Sequence, residues 1–115
     1  MLQYDVEKIA DELMFTTSEL KEILDIYFEE AIELLQECHS ALDRQDYAAV
    51  GKIIHALKGS SSNLRITTVT EIATELEQMA ISGEKAPLFH YLPIIQDKIA
   101  ILKEHIDVYY ADVLK

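Results

Sequence analysis

Residues 55–64 read HALKGSSSNL, and whether they continue a helix or end one decides the fold. Gly59 costs a helix about 1 kcal/mol relative to alanine, and the serines at 60, 61 and 62 are mediocre helix formers. The apolar residues around them nevertheless keep a helical period. Val50, Ile53 or Ile54, Leu57, Ser61 and Leu64 share one face, which predicts a helix over about 47–63. Asp46 stands where its N-cap belongs.

Working outward, the same period recurs on both sides. Val6, Ile9, Leu13 and Met14 mark a short first helix, with Asp5 as its N-cap. Thr16 followed by Glu19 forms a capping-box pattern, and Phe15 with Leu20 fits a hydrophobic staple. A long second helix over about 17–43 follows, with Leu20, Ile23, Leu24, Tyr27, Ala31, Leu34, Leu35, Cys38 and Leu42 as its stripe. Thr68 with Glu71 suggests a further capping box opening a fourth helix. Its inward residues are Val69, Ile72, Ala73, Leu76, Met79 and Ala80, and Ser82-Gly83 ends it with a left-handed C-cap. Pro87 suits the first turn of a fifth helix striped by Leu88, Leu92, Ile95, Ile99, Leu102, Ile106 and Val113. Pro93 inside that stripe either kinks the helix or delays its start. Tyr109 and Tyr110 are expected to close one end of the core. The expected fold is all-α, an antiparallel up-down four-helix bundle with a short additional N-terminal helix, in a single domain over 1–115.

Bulk composition agrees. At 115 residues and 50% hydrophobic, the chain has one domain's length and can bury a core. Five Pro and Gly residues leave little room for turns. No apolar run reaches the length of about 18 residues that a membrane span needs, and the acidic start MLQYDVEKIADEL does not read as a signal peptide. Cys38, the single cysteine, reads as a small core residue, and the expected location is cytoplasmic. The net charge of −11 argues against nucleic acid and against an anionic membrane surface. The charge is uneven, however. Between Tyr47 and Thr70 the charged residues are Lys52, Lys58 and Arg65, a window of +3 in a chain whose remainder carries −14.

A helical wheel locates that basic window. At about 100° per residue, Gly51, Lys52, Lys58, Gly59 and Ser62 all fall within about 60° of His55, while Ile54 and Leu57 lie about 100° or more away. His55 is therefore expected to face solvent between two lysines, with a glycine one turn away on each side. Weak helix formers on an exposed face leave room for a partner's close approach. The lysines favour an anionic group on the ring and disfavour the imidazolium, so a ring nitrogen stays available as a nucleophile.

His55-Ala56-Leu57-Lys58-Gly59, followed by three serines, Asn63 and Leu64, resembles the signature of histidine-containing phosphotransfer (HPt) domains. The long acidic helix with Phe28 to Ala31, and Leu76-Glu77 in the following helix, extend the resemblance over about 15–110. One position departs from it: the family pattern has Gly after the Leu, and here Arg65 stands there. The resemblance implies a phosphorelay protein in which His55 takes a phosphoryl group from, or gives it to, the aspartate of a response-regulator receiver domain, including that of a hybrid sensor kinase. It implies that Lys58 pairs with the phosphoryl oxygens, that Gly59 gives the receiver room, and that Ser62 and Glu77 lie near the imidazole. Glu77 would hold the ring tautomer.

Other chemistries find no support in the sequence. There is no glycine-rich phosphate loop or Walker pattern, so no ATP site is expected. No carboxylate cluster accompanies His55, so the metal that phosphoryl transfer normally needs is expected on the partner, and no cofactor on this chain. Residues three before the four histidines are Gln36, Lys52, Pro87 and Leu102, which excludes the Glu-x-x-His pairs of a di-iron bundle. His39, His90 and His105 read as structural or surface residues. The chain is thus expected to be a phosphoryl carrier, not an enzyme. A second function class remains, a non-phosphorylated binding module that docks an acidic or receiver-like partner through the basic stripe.

Overall fold

The structure, a computed structural model, describes residues 4–113. The first three residues of the acidic start, and residues 114 and 115 of the domain read over 1–115, lie outside the described residues. Five helices account for most of the chain: α1 (Val6–Glu12), α2 (Thr17–Asp43), α3 (Tyr47–Asn63), α4 (Thr67–Ile81) and α5 (Lys85–Val113). The described residues hold no strand.

Side chains written into the sequence start three of these helices. Asp5 accepts a bond from the Lys8 amide at 3.1 Å, and Asp46 does the same for Ala49 at 3.1 Å. Thr16 and Glu19 exchange both bonds of a capping box, at 3.1 and 2.9 Å. α4 starts differently from the expectation. Its N-cap is Ile66, which makes no side-chain cap bond, so the Thr68/Glu71 capping box does not form. Ile66 is fully committed to the preceding turn: its amide bonds the Ser61 carbonyl at 2.9 Å and its side chain is buried. Thr68 is thereby drawn inside the helix.

That turn belongs to a repeated device. α1, α2, α3 and α4 all end in a Schellman motif, with Met14, Gln45, Arg65 and Gly83 in the left-handed region at φ 63°, 58°, 60° and 68°. In each, the next amide reaches back five residues, Phe15 to Ala10, Asp46 to Ala41, Ile66 to Ser61 and Glu84 to Met79, at 2.8–2.9 Å. Met14 therefore lies outside α1 and is almost fully exposed, where the sequence had placed it on the helix's apolar face. Arg65 occupies a position that favours glycine. Arg65→Gly is expected to stabilise the protein by about 1 kcal/mol, and Gly83→Ala to cost a similar amount, both measurable by urea denaturation.

One buried cluster runs through all five helices. α2 packs on α3, α3 on α4, α4 on α5 and α5 back on α2, with α1 against α2. The described chain measures 46 × 23 × 22 Å, its length set by α5. α5 runs unbroken from Lys85 through an exposed Pro93, so Pro93 does not delay its start. Of the two candidate isoleucines, Ile54 is buried and Ile53 is half-buried. The stripe of α5 ends at Tyr110, whose hydroxyl donates to the Thr17 carbonyl at 2.7 Å; Val113, one turn further on, is exposed. Burial holds the Cys38 thiol up at about 11, as befits a core residue.

Ser61 is fully buried, and its hydroxyl shares a 2.7 Å hydrogen bond with Tyr27, itself buried on α2. Tyr27→Phe should therefore leave Ser61 without that partner and cost about 1–3 kcal/mol. Adding Ser61→Ala should recover part of the loss in a double-mutant cycle of denaturation free energies.

Candidate functional site

The site lies on the seam between α3 and α4. Leu57 on α3 and Leu76 on α4 are both fully buried, and the two helices pack against each other. Their neighbours in sequence reach the surface beside that contact. His55 lies half a turn before Leu57, Lys58 follows Leu57 directly, and Glu77 follows Leu76 directly. The register brings these three side chains together.

Glu77 is the hub. Its Oε2 lies 2.7 Å from His55 Nδ1, and its Oε1 accepts from Lys58 Nζ at 2.6 Å. The Glu77 side chain is 16% exposed, that of Lys58 29% and that of His55 68%. A carboxylate can only accept, so Nδ1 carries the proton in this pair. In the neutral ring Nε2 then holds the lone pair, and it makes no hydrogen bond to a described residue. Glu77 therefore selects the tautomer and fixes the ring's orientation, while Lys58 balances the carboxylate's charge.

The Lys58 ammonium holds the Glu77 carboxyl below the usual glutamate range; burial opposes this and the His55 hydrogen bond adds to it. A carboxyl lowered on folding contributes stability that is fully present above the unfolded glutamate value of about 4.3 and is lost as pH falls through the lowered value. A carbon-13 NMR titration of the Glu77 carboxyl should therefore give a midpoint below about 4.3, moving upward in Lys58→Met.

The remaining sequence-predicted residues separate by position. A β-carbon added to Gly59 would meet nothing within 4 Å, so the surface one turn beyond His55 is open. Gly51 departs from the expected outward stripe. It is half-buried, and an added β-carbon would lie 3.7 Å from that of Ala80, so it faces α4. Lys52 is exposed and forms no ion pair with a described residue. Ser62 is exposed, and its carbonyl accepts from the Arg65 amide at 3.0 Å; among the described residues the His55 ring bonds Glu77 and not Ser62. His90 and His105 are exposed and His39 is half-buried. No group of three or more metal-ligating side chains occurs among the described residues.

A groove not foreseen from the sequence opens beside His55. It has a volume of about 850 Å³ and runs between the first half of α3 and the last turn of α4, walled by Tyr47, Ala48, Gly51, Ala80 and Ile81. Ile81 is 72% exposed there. Its signal in the sequence was an isoleucine one residue beyond the inward stripe of α4, next to Ser82-Gly83.

The described residues form an all-helical domain with an exposed histidine whose Nδ1 is held by a carboxylate. The model of the Hpt domain family matches residues 22–107, about three quarters of the chain, and the chain belongs to that family. Comparison with curated proteins and with solved structures gives no match. Hpt domains act in general as phosphoryl carriers in phosphorelays, carrying the group on a histidine, and they generally interact with receiver domains. No helix among the described residues is long and apolar enough to cross a membrane.

Proposed function

We propose that this chain is a cytoplasmic histidine phosphotransfer protein and that His55 Nε2 is its phosphoacceptor. The observation that carries the reading is the 2.7 Å contact between His55 Nδ1 and Glu77 on a ring that is two-thirds exposed. The four long helices act as an antiparallel up-down bundle that holds this contact rigid, with α1 as the short additional helix. The three-residue connections before α3, α4 and α5, and the closure of α2 on α5, support that arrangement.

The transfer follows from these groups. The Nε2 lone pair attacks the phosphorus of an aspartyl phosphate on a receiver domain. A P–N bond forms as the P–O bond breaks, and the aspartate carboxylate leaves with the electron pair. The Nδ1 proton stays on the ring, which becomes cationic, and the Glu77 carboxylate beside it offsets that charge. Lys58 lies close enough to turn from Glu77 to the arriving phosphoryl oxygens. The return step runs the same path backward, with neutral imidazole as the leaving group. Gly59 leaves the approach open, and the chain supplies neither nucleotide nor metal chemistry of its own.

Incubation with a phosphorylated receiver domain tests the reading. Acid-labile, base-stable phosphate should appear on the wild-type chain and be absent from His55→Gln; labelling of the variant would sink the assignment. Gly59→Gln should keep the fold, since open space surrounds the added side chain, and slow transfer several-fold in a rapid-quench assay. Glu77→Gln should slow transfer while leaving the helical circular-dichroism signal unchanged.

A further inference from the structure

The chain ahead of α1 reaches the turn between α3 and α4. Tyr4 is 6% exposed, and its hydroxyl donates to the buried Leu64 carbonyl at 2.8 Å. The base of this strap is fixed. Val6, Ile9 and Ala10 of α1 are buried, and Glu7 accepts from the Tyr109 hydroxyl of α5 at 3.2 Å. Burial, and after it the neighbouring Tyr110 and Tyr27, push the Tyr4 hydroxyl above the ordinary tyrosine range, so it stays a donor.

The bond falls on one peptide unit. The Leu64 carbonyl and the Arg65 amide belong to the same plane. Tyr4 holds the carbonyl, and the Ser62 carbonyl accepts from the amide at 3.0 Å. That plane leads into Arg65 at φ 60°, where the chain turns toward α4. The turns after α1 and α2 place Met14 and Gln45 in the same conformation. Among the described residues, no distant side chain bonds the matching carbonyls there, those of Leu13 and Arg44. A left-handed turn therefore forms in this chain without such a pin. The pin is present at the turn that joins the two helices of the site.

We propose that Tyr4 is a positioning residue for the phosphoacceptor site: its bond to the Leu64 carbonyl restrains the α3–α4 turn and so keeps Glu77 in register with His55. The inference rests on the reading of His55 as phosphoacceptor. The lever is long. Glu77 lies eleven residues beyond Ile66 along α4, roughly 16 Å, so a tilt of about 10° at the turn displaces it by about 3 Å. Its contact with His55 Nδ1 is 2.7 Å, and a displacement of that size breaks it. Core packing at Leu76 limits the tilt, and the Tyr4 bond limits it from the other end, at the pivot.

The test uses the full chain and reads site geometry beside rate. Tyr4→Phe keeps the ring and removes the donor, and its helical circular-dichroism signal should match wild type. In that variant the carbon-13 midpoint of the Glu77 carboxyl should rise toward the free glutamate value. The nitrogen-15 signals of His55 should move from the Nδ1-protonated tautomer toward a mixture. Phosphoramidate, whose P–N bond breaks with loss of ammonia as the bond to Nε2 forms, should label His55 more slowly by about threefold or more. Replacing Tyr4 by para-aminophenylalanine, which puts a donor back at the same place, should restore all three. Tyr110→Phe removes a comparable bond, 2.7 Å to the Thr17 carbonyl, from a neighbouring tyrosine and should move none of them. Unchanged Glu77 and His55 signals in Tyr4→Phe, an equal change in Tyr110→Phe, or failure of para-aminophenylalanine to restore them overturns the role of Tyr4 while His55 remains the acceptor. Loss of the helical signal in Tyr4→Phe makes the bond a requirement of the fold and overturns the narrower role as well. Absence of label on wild-type His55 from a phosphorylated receiver domain overturns the relay reading, and with it any role of Tyr4 in transfer.

Discussion

Three residues, Leu64 to Ile66, carry the chain from α3 into α4, and the position of every group in the site depends on that turn. The Ile66 amide closes on Ser61, and Leu64 and Ile66 are both buried, so the turn is held by hydrogen bonds and by the core together. Its shortness leaves little freedom in how the two helices meet. As α3 is followed from Gly51 to His55, the facing residue on α4 recedes from Ala80 to Glu77. One added residue would rotate α4 by about 100° and carry Glu77 away from the seam. The backbone strain at Arg65, at φ 60°, is the cost of this registration.

The site divides its work between two kinds of surface. On the α4 side of His55, Glu77 binds both His55 and Lys58, and its carboxyl is kept ionised by the neighbouring cation. On the outer side, the ring, Gly59 and Lys52 are left open. The proposed role of His55 as a nucleophile needs this asymmetry. One ring nitrogen must be fixed by a partner that cannot donate, and the other must remain unbonded. Lys58 alone on the seam would favour a phosphate yet leave the tautomer unset. Glu77 alone would set the tautomer and repel the phosphate. Held within hydrogen-bond distance of each other, the two form a nearly neutral pair that can separate when an anion arrives.

Much of this was legible in the sequence, for reasons that also mark its limits. Helical period and capping residues depend on near neighbours, so α2 and α3 could be placed over 17–43 and 47–63, the spans they occupy. The wheel set His55 and Lys58 on the outer face for the same reason. It could not tell which flank of that face a second helix would cover. Gly51 and Gly59 therefore looked equivalent about His55, and only one of them is free: Gly51 meets Ala80 across the seam. Glu77, 22 residues away in sequence, was reachable only through the family resemblance, because no local period connects it to His55. The ends of elements were the other weak point. Thr68 with Glu71 had the letters of a capping box, but the Schellman turn of α3 had already used Ile66 as the cap. Val113 kept the spacing of the α5 stripe, yet the core ends one turn earlier, at Tyr110.

The poor helix formers after His55 take on different meanings once the neighbours are known. Ser61 faces inward and satisfies Tyr27, the one polar contact deep between α2 and α3. Ser60 turns its hydroxyl onto the Leu57 carbonyl, and Ser62 gives its own carbonyl to the turn. A β-carbon added at Gly59 would meet nothing within 4 Å. Helix propensity counts all four as weaknesses, but the hydroxyls of Ser60 and Ser61 make bonds that recover part of that cost within the fold. Gly59 has no such bond and lies a single turn from His55. Bundle stability gives no reason for a residue without a side chain at that position, whereas the proposed transfer, which brings a second protein close to His55, does.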